Sequence, residues 1–305
     1  MSQTQNMLLS ARYFGALPIR QWARWRRCAR GQEPLQVLFY HRVSDRHPND
    51  WTMPTSTFAR QIDWLERRFD LVGLEECQKR IASGVNHRPT VCLTFDDGYA
   101  DNLQFAIPLL LERSIPFTYF VCSDNVRKRR PFPHDEAAGI PLDVHTVDQI
   151  RQLAAYGVEI GAHTRTHADL GKLETTELVR EIAGSKRELE RITGRPIRYF
   201  AFPYGLHANM SREAFRVARE AGFAGVCSAY GGYNFPGDDP FHLERFHADC
   251  EMSRFCNWLS VDPRKLRTVP PFVWKEEPAT GVRGATVPSG TSSGPYPVPV
   301  EDSGN

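Results

Sequence analysis

The run Thr90-Val91-Cys92-Leu93-Thr94-Phe95 stops abruptly at two adjacent carboxylates, Asp96 and Asp97, followed by Gly98. Its β-branched and aromatic side chains predict a buried strand, and Gly98 permits a sharp exit from it. The spacing of Leu103, Ala106, Ile107 and Leu110 predicts a helix next, over about 102–113. Two like charges at the end of a buried strand cost free energy unless something compensates them. A helix cap can use one such carboxylate. A divalent ion, with the second carboxylate as a base beside it, uses both.

A second strand-like run, 158–162, ends in His163 and His167. On a helical turn, positions four apart share a face, so both imidazoles could grip one ion. Two histidines and one aspartate, with positions left open for water, form a hydrolytic metal set.

Further strands are predicted at 36–43, 115–122, 199–204, 224–229 and 241–247, and helices over 57–69, 147–156, 175–192 and 212–220. Residues 123–145, with the basic run Arg127-Lys128-Arg129-Arg130 and two prolines, read as a loop that could overhang a strand-end site. Strands alternating with helices indicate a parallel α/β arrangement. The candidate site residues all fall just past strands, the face on which β/α barrels build sites.

The 305 residues, 41% hydrophobic and 24% charged, suffice for one large barrel. A net charge of +2 gives no whole-chain case for nucleic-acid binding. The seven cysteines have no metal-finger spacing. Cys92, Cys122 and Cys227 read as buried thiols, which favours a reducing, cytoplasmic setting. No run approaches the ~20 apolar residues of a membrane span, and the N-terminal apolar run precedes its positive charges, unlike a secretory signal. Arg20, Arg24, Arg26, Arg27 and Arg30 interleave with Trp22 and Trp25. Residues 7–30 therefore read either as a helix on an anionic membrane surface, peripherally attached, or as a solvated helix packed on the barrel. Three regions are expected: a basic extension (1–34), the barrel (35–267) and a Pro/Gly/Ser-rich disordered tail (268–305).

Thr94-Phe95-Asp96-Asp97-Gly98-Tyr99, His163-Thr164-Arg165-Thr166-His167 and Phe200-Ala201-Phe202-Pro203-Tyr204-Gly205 resemble, in order, three signatures of the polysaccharide deacetylase family, the NodB-homology group or carbohydrate esterase family four. Tyr40-His41-Arg42-Val43 resembles the opening strand of one of its branches. The resemblance implies a distorted (β/α)7 barrel and hydrolytic removal of acetyl from an N-acetylhexosamine glycan or glycan precursor. It implies Asp97, His163 and His167 as ligands of a divalent ion, with Zn²⁺ the first expectation, and Asp96 as general base. The Tyr204 N–H would stabilise the oxyanion, and Pro203, Tyr204 and His41 are expected at the substrate. The chain departs from the family pattern at Ala201, where an arginine that orients the base is usual; Arg245 could reach the same place from the last strand. The usual Leu-x-His supplying the acid is missing; His247 lies nearest its expected place, with His41 as the rival. A non-catalytic sugar-binding barrel and an amidase acting on a non-sugar amide remain as other readings.

Overall fold

A computed structural model of the chain describes residues 3–262 and 270–275. Its strands in order are β1 (Leu35–Tyr40), β2 (Arg42–Val43), β3 (Thr52–Met53), β4 (Asp70–Leu71), β5 (Thr90–Phe95), β6 (Phe117–Val121), β7 (Glu159–Ala162), β8 (Tyr199–Ala201), β9 (Gly225–Cys227), β10 (His242–Leu243) and β11 (Arg245–His247). The main sheet runs β1-β5-β6-β7-β8-β9-β10, and β11 returns to β1, with every pairing parallel. Strands β10 and β11 are two halves of one run broken at Glu244, so the barrel has seven staves, as the (β/α)7 expectation requires.

The break at Glu244 is the seam. Leu243 pairs with Cys227 on one side, and Arg245 with Val37 on the other. Asn234 fills the step. Its amide oxygen accepts from the Glu244 N–H at 2.8 Å, and its side-chain nitrogen donates to the Glu244 carbonyl at 2.9 Å. Its backbone exchanges hydrogen bonds with Leu35 at 2.8 and 3.0 Å. The backbone groups freed by the change of partner are thereby paired, as buried groups must be.

Strand alternation divides the apolar residues between two layers. Leu35, Val37, Cys92, Phe120, Tyr199, Ala201, Cys227 and Leu243 form the inner core. Leu38, Tyr40, Leu93, Phe95, Tyr119 and Val121 belong to the larger cluster beneath the outer helices. At Gly161 a Cβ would come within 2.3 Å of the Phe120 ring, so β7 cedes its inward space to that ring.

Several local expectations change. The segment 123–145 contains helices Ser123–Lys128 and Pro133–Ala137, where a loop was expected. The helix expected near 102–113 is a 3₁₀ turn, Ala100–Leu103, followed by a helix Ala106–Glu112. Tertiary demand on Asp101 and Asn102, described below, holds the first turn apart. Helices Leu74–Ser83 and Met252–Leu259 were not among the expected elements. The predicted helix beginning at Thr175 runs to Thr193 and stops at Gly194 in the left-handed conformation.

The N-terminal segment is a 27-residue helix, Gln3–Ala29, docked on the helix Met252–Leu259 and on the residues that follow it. Pro270–Trp274 returns to the barrel: the rings of Phe272 and Trp274 stack on Phe215 at 5.2 and 5.4 Å. The compact unit thus extends to Trp274, past the boundary expected at 267. Residues 263–269 and 276–305, which hold the rest of the expected tail, lie outside the described residues. No described helix is long and apolar enough to cross a membrane.

Candidate active site

The site grows from the ends of β1, β5, β7, β8 and β11 at one mouth of the barrel. At the end of β5 the chain turns through two left-handed residues, Asp97 (φ 72°) and Gly98 (φ 84°). A side chain at Gly98 would press on Val121 at 2.9 Å, so glycine is required there. An aspartate in this conformation is strained by on the order of 1 kcal/mol or more, which the surrounding packing must sustain. The turn sends Asp96 and Asp97 to different surroundings.

Asp96 enters the barrel. Both its oxygens accept from the Arg245 guanidinium, at 2.8 and 2.9 Å. That guanidinium also donates to Thr94 Oγ1 at 3.0 Å and to the Ser228 carbonyl at 2.9 Å. It lies between the faces of Phe39 and Phe120, 5.0 and 5.3 Å from their centroids. Arg245 is fully buried. Burial pushes the Asp96 carboxyl upward, but Arg245, His163 and His41 together outweigh it and hold the group below its ordinary value. The guanidinium thus comes from the last strand, directed inward by the same alternation that turns Leu243 inward. Ala201, where the family pattern usually has arginine, lies on β8, one stave beyond β9, and offers only its backbone.

Asp97 faces the histidines. Its Oδ1 lies 3.5 Å from His163 Nε2 and 3.3 Å from His167 Nε2. One ligand atom from each residue falls within 4.8 Å of the others, the one such constellation of three or more among the described residues. Asp97 Oδ1 is buried without a hydrogen-bond donor. His163 Nδ1 is 2.8 Å from the Ala201 carbonyl. That bond places the ring proton on Nδ1 and leaves the Nε2 lone pair for an ion. Burial drives the His163 pKa down to about 4, so its ring is neutral, the form a metal needs. An orphaned buried carboxylate oxygen facing two imidazole nitrogens fits a divalent ion.

The His163–His167 turn is not helical, contrary to the expectation from its spacing. Thr164 (φ 62°) and His167 (φ 61°) are left-handed. The Thr164 hydroxyl accepts from the His167 N–H at 2.9 Å. Glu181, buried on the helix Thr175–Thr193, accepts from the N–H groups of Arg165 and Thr166, both at 3.0 Å. The two rings converge because this cap folds the loop, not because of a 3.6-residue period. Sequence reading passed over Glu181. The available signal was its place three residues after Leu178, on the buried stripe, where an acid needs a partner.

The remaining candidates divide. His41 follows β1, and its Nε2 lies 4.0 Å from Asp97 Oδ2. Its Nδ1 is buried without a partner, and burial, working against the attraction of Asp97, lowers its pKa. The segment is anchored by the 3₁₀ turn after Tyr99. Asn102 donates to the His41 carbonyl at 2.7 Å and accepts from the Val43 N–H at 2.8 Å, and buried Arg42 pairs with Asp101. His247 ends β11. Its ring is 6.2 Å from that of His41 and 5.8 Å from Trp51. Trp51, half-exposed and 4.8 Å from His41, walls this side of the mouth, and no sequence pattern marked it. Tyr204 is left-handed (φ 61°), follows buried Pro203, exposes its side chain and sets its ring 4.9 Å from His167. On the opposite side Phe132, from the segment expected to overhang the site, packs against His167 at 5.4 Å.

A family model described as polysaccharide deacetylase matches residues 83–226. YxkH of Bacillus subtilis (strain 168), which carries that family's name, is 24% identical over 193 residues, 62% of either chain. The chitooligosaccharide deacetylase of Sinorhizobium fredii is 28% identical over 142 residues, 45% of this chain and 56% of that one. The match thus spans less than two thirds of each of these relatives. The structure of IcaB from Ammonifex degensii superposes with a TM-score of 0.64 at 25% identity, covering 75% of this chain and 98% of that one. The matched span contains the Asp-Asp and His-x-x-x-His signatures, at the ends of β5 and β7 of a parallel barrel like that of IcaB: residues 83–226 match the polysaccharide deacetylase family.

Proposed function

We propose that this protein hydrolyses the N-acetyl group of an N-acetylhexosamine glycan, in a polymer or a glycan precursor, with a divalent ion, Zn²⁺ foremost. The observation that carries the reading is the division of labour at Asp96 and Asp97: one carboxylate is locked by an arginine, and its neighbour stands open beside two imidazoles. Asp97, His163 and His167 hold the ion. When bound, it polarises the amide carbonyl and acidifies water. Asp96 is kept ionised by Arg245 and takes a proton from the attacking water as its oxygen adds to the carbonyl carbon. The Tyr204 N–H, which donates to no backbone carbonyl among the described residues, supports the oxyanion. The C–N bond then breaks, the departing nitrogen gains a proton, and acetate leaves. We assign that proton to His41 and not to His247, because His41 lies beside the carboxylates. Trp51 and His247 offer a wall on which a sugar ring can rest.

The relative from Sinorhizobium fredii is named for chitooligosaccharides, which makes acetylated chito-oligosaccharides the first substrate to try. Acetate should appear with the purified full chain, cease on chelation and resume on adding back Zn²⁺. A protein that holds the ion yet releases no acetate from any N-acetylated glycan, while binding one, would instead be a sugar-binding barrel. Acetate from simple acyl amides but not from glycans would make it an amidase.

A further inference from the structure

The helix Gln3–Ala29 is inside out with respect to its charges. Arg12, Arg20, Arg24 and Arg27 face the barrel. Arg12 pairs with Asp262, and Arg20 donates to Ser260 Oγ at 2.7 Å and to the Asn257 carbonyl at 3.1 Å. Arg24 donates to the Leu259 carbonyl at 2.7 Å and lies 3.3 Å from the buried carboxylate of Glu33, which Arg27 also meets at 2.7 Å. Meanwhile Leu8, Phe14, Ile19, Trp22 and Trp25 point to solvent, each between 57% and 72% exposed. A helix that spends its cations on docking and turns its largest apolar side chains outward is not a solvated cover for the barrel.

The geometry points to a lipid bilayer surface as the partner of this face, with Trp22, Trp25, Phe14, Ile19 and Leu8 inserted at headgroup depth. Indole rings settle at that depth because one edge is apolar and the N–H is polar. The two arginines left on the solvent side, Arg26 and Arg30, make no ion pair with a described acid, and the Arg26 guanidinium lies over the Trp22 ring at 4.7 Å. Residues 1–32 contain no Asp or Glu at all. This charge complements anionic headgroups. It disfavours a second copy of the chain as partner, since pairing the face with itself would bring Arg26 and Arg30 of both copies together with no acid to offset them. The contact differs from the one the sequence suggested. Most of the arginines are already engaged, so attachment is chiefly apolar. The inference rests on the helix alone and stands whether or not the barrel is a deacetylase.

The test is flotation of the full chain with phosphatidylcholine vesicles, with and without a minority of phosphatidylglycerol, alongside indole fluorescence. The protein should float with both, more with the anionic vesicles, and its emission should shift to the blue. High salt should remove the anionic increment and leave the remainder. Trp22→Ser with Trp25→Ser should weaken binding on the order of a hundredfold, while thermal unfolding and acetate release from a soluble oligosaccharide stay unchanged. Failure to float with either vesicle overturns the proposal. Binding abolished by salt and by Arg26→Gln with Arg30→Gln, yet indifferent to the tryptophan changes, also overturns it. So does sedimentation showing a dimer that the tryptophan changes dissolve.

Discussion

The interior of the barrel mouth and its rim each receive one carboxylate from a single two-residue step, and they treat it in opposite ways. Inside, Asp96 is complete: both oxygens are bonded to one buried guanidinium that makes two further bonds. At the rim, Asp97 is incomplete, with a buried Oδ1 that has no donor and two imidazole nitrogens within 3.5 Å. A complete ion pair keeps its shape without a ligand. An incomplete cluster is a place where a ligand gains free energy by binding, because the desolvation cost has already been borne by the fold. Chemistry is therefore expected to need both regions, and metal affinity only the rim.

The largest effect should come from emptying the rim. His163→Ala with His167→Ala should bring bound metal well below one per chain and abolish acetate release, while the Asp96–Arg245 pair still holds the barrel together. Metal analysis decides this: a full complement of ion and full activity in that variant would remove the histidines from the site.

Next comes the interior. Asp96→Asn should leave the ion bound and lower kcat by on the order of 10²–10⁴, the range for loss of a general base. It also strands the buried Arg245 charge, at a cost of about 3–5 kcal/mol in unfolding free energy. Asp96→Asn with Arg245→Met should recover most of that stability and none of the activity. Equal loss of metal and activity in Asp96→Asn would move Asp96 into the ligand set and erase the contrast between the two carboxylates.

The two candidate acids sharpen the boundary. His41→Gln should lower kcat by about 10²-fold or more. His247→Gln should act mainly on KM, through the wall it forms with Trp51. The opposite pattern would place the proton donor on β11.

The smallest effect is on acid stability. The Asp96 carboxyl is held below its ordinary value, so its contribution to stability is fully present above the unfolded value of about 3.9 and is lost as pH falls through the lower folded value. The metal-free Asp96→Asn, Arg245→Met double variant should therefore lose less stability than the metal-free parent protein on acidification below about pH 4. Parallel pH curves would mean that Arg245 does not favour the ionised form.

Local sequence determined a good deal of this protein. The apolar runs that end in Asp96-Asp97 and His163 were legible as strands with chemistry at their tips, because burial and polarity change sharply within a residue or two. Strand alternation aimed Arg245 inward. The Gly194 helix stop needed only local conformational preference. Other features came from contacts distant in the chain, where no local pattern reaches. The His163–His167 turn is set by Glu181 of the next helix, so its spacing suggested a helical turn that does not exist. The 3₁₀ turn at 100–103 breaks the helix pattern because Asp101 and Asn102 are held by the segment after β1. The sequence placed His247 nearest the expected position of the acid, with His41 as its rival, and only the fold brings His41 to 4.0 Å from Asp97. On the N-terminal helix, composition specified arginines and tryptophans but not their direction. The acceptors that turn the arginines inward, Glu33, Asp262 and the carbonyls of Asn257 and Leu259, come largely from the far end of the barrel, more than two hundred residues away, and only the folded chain brings them to the helix.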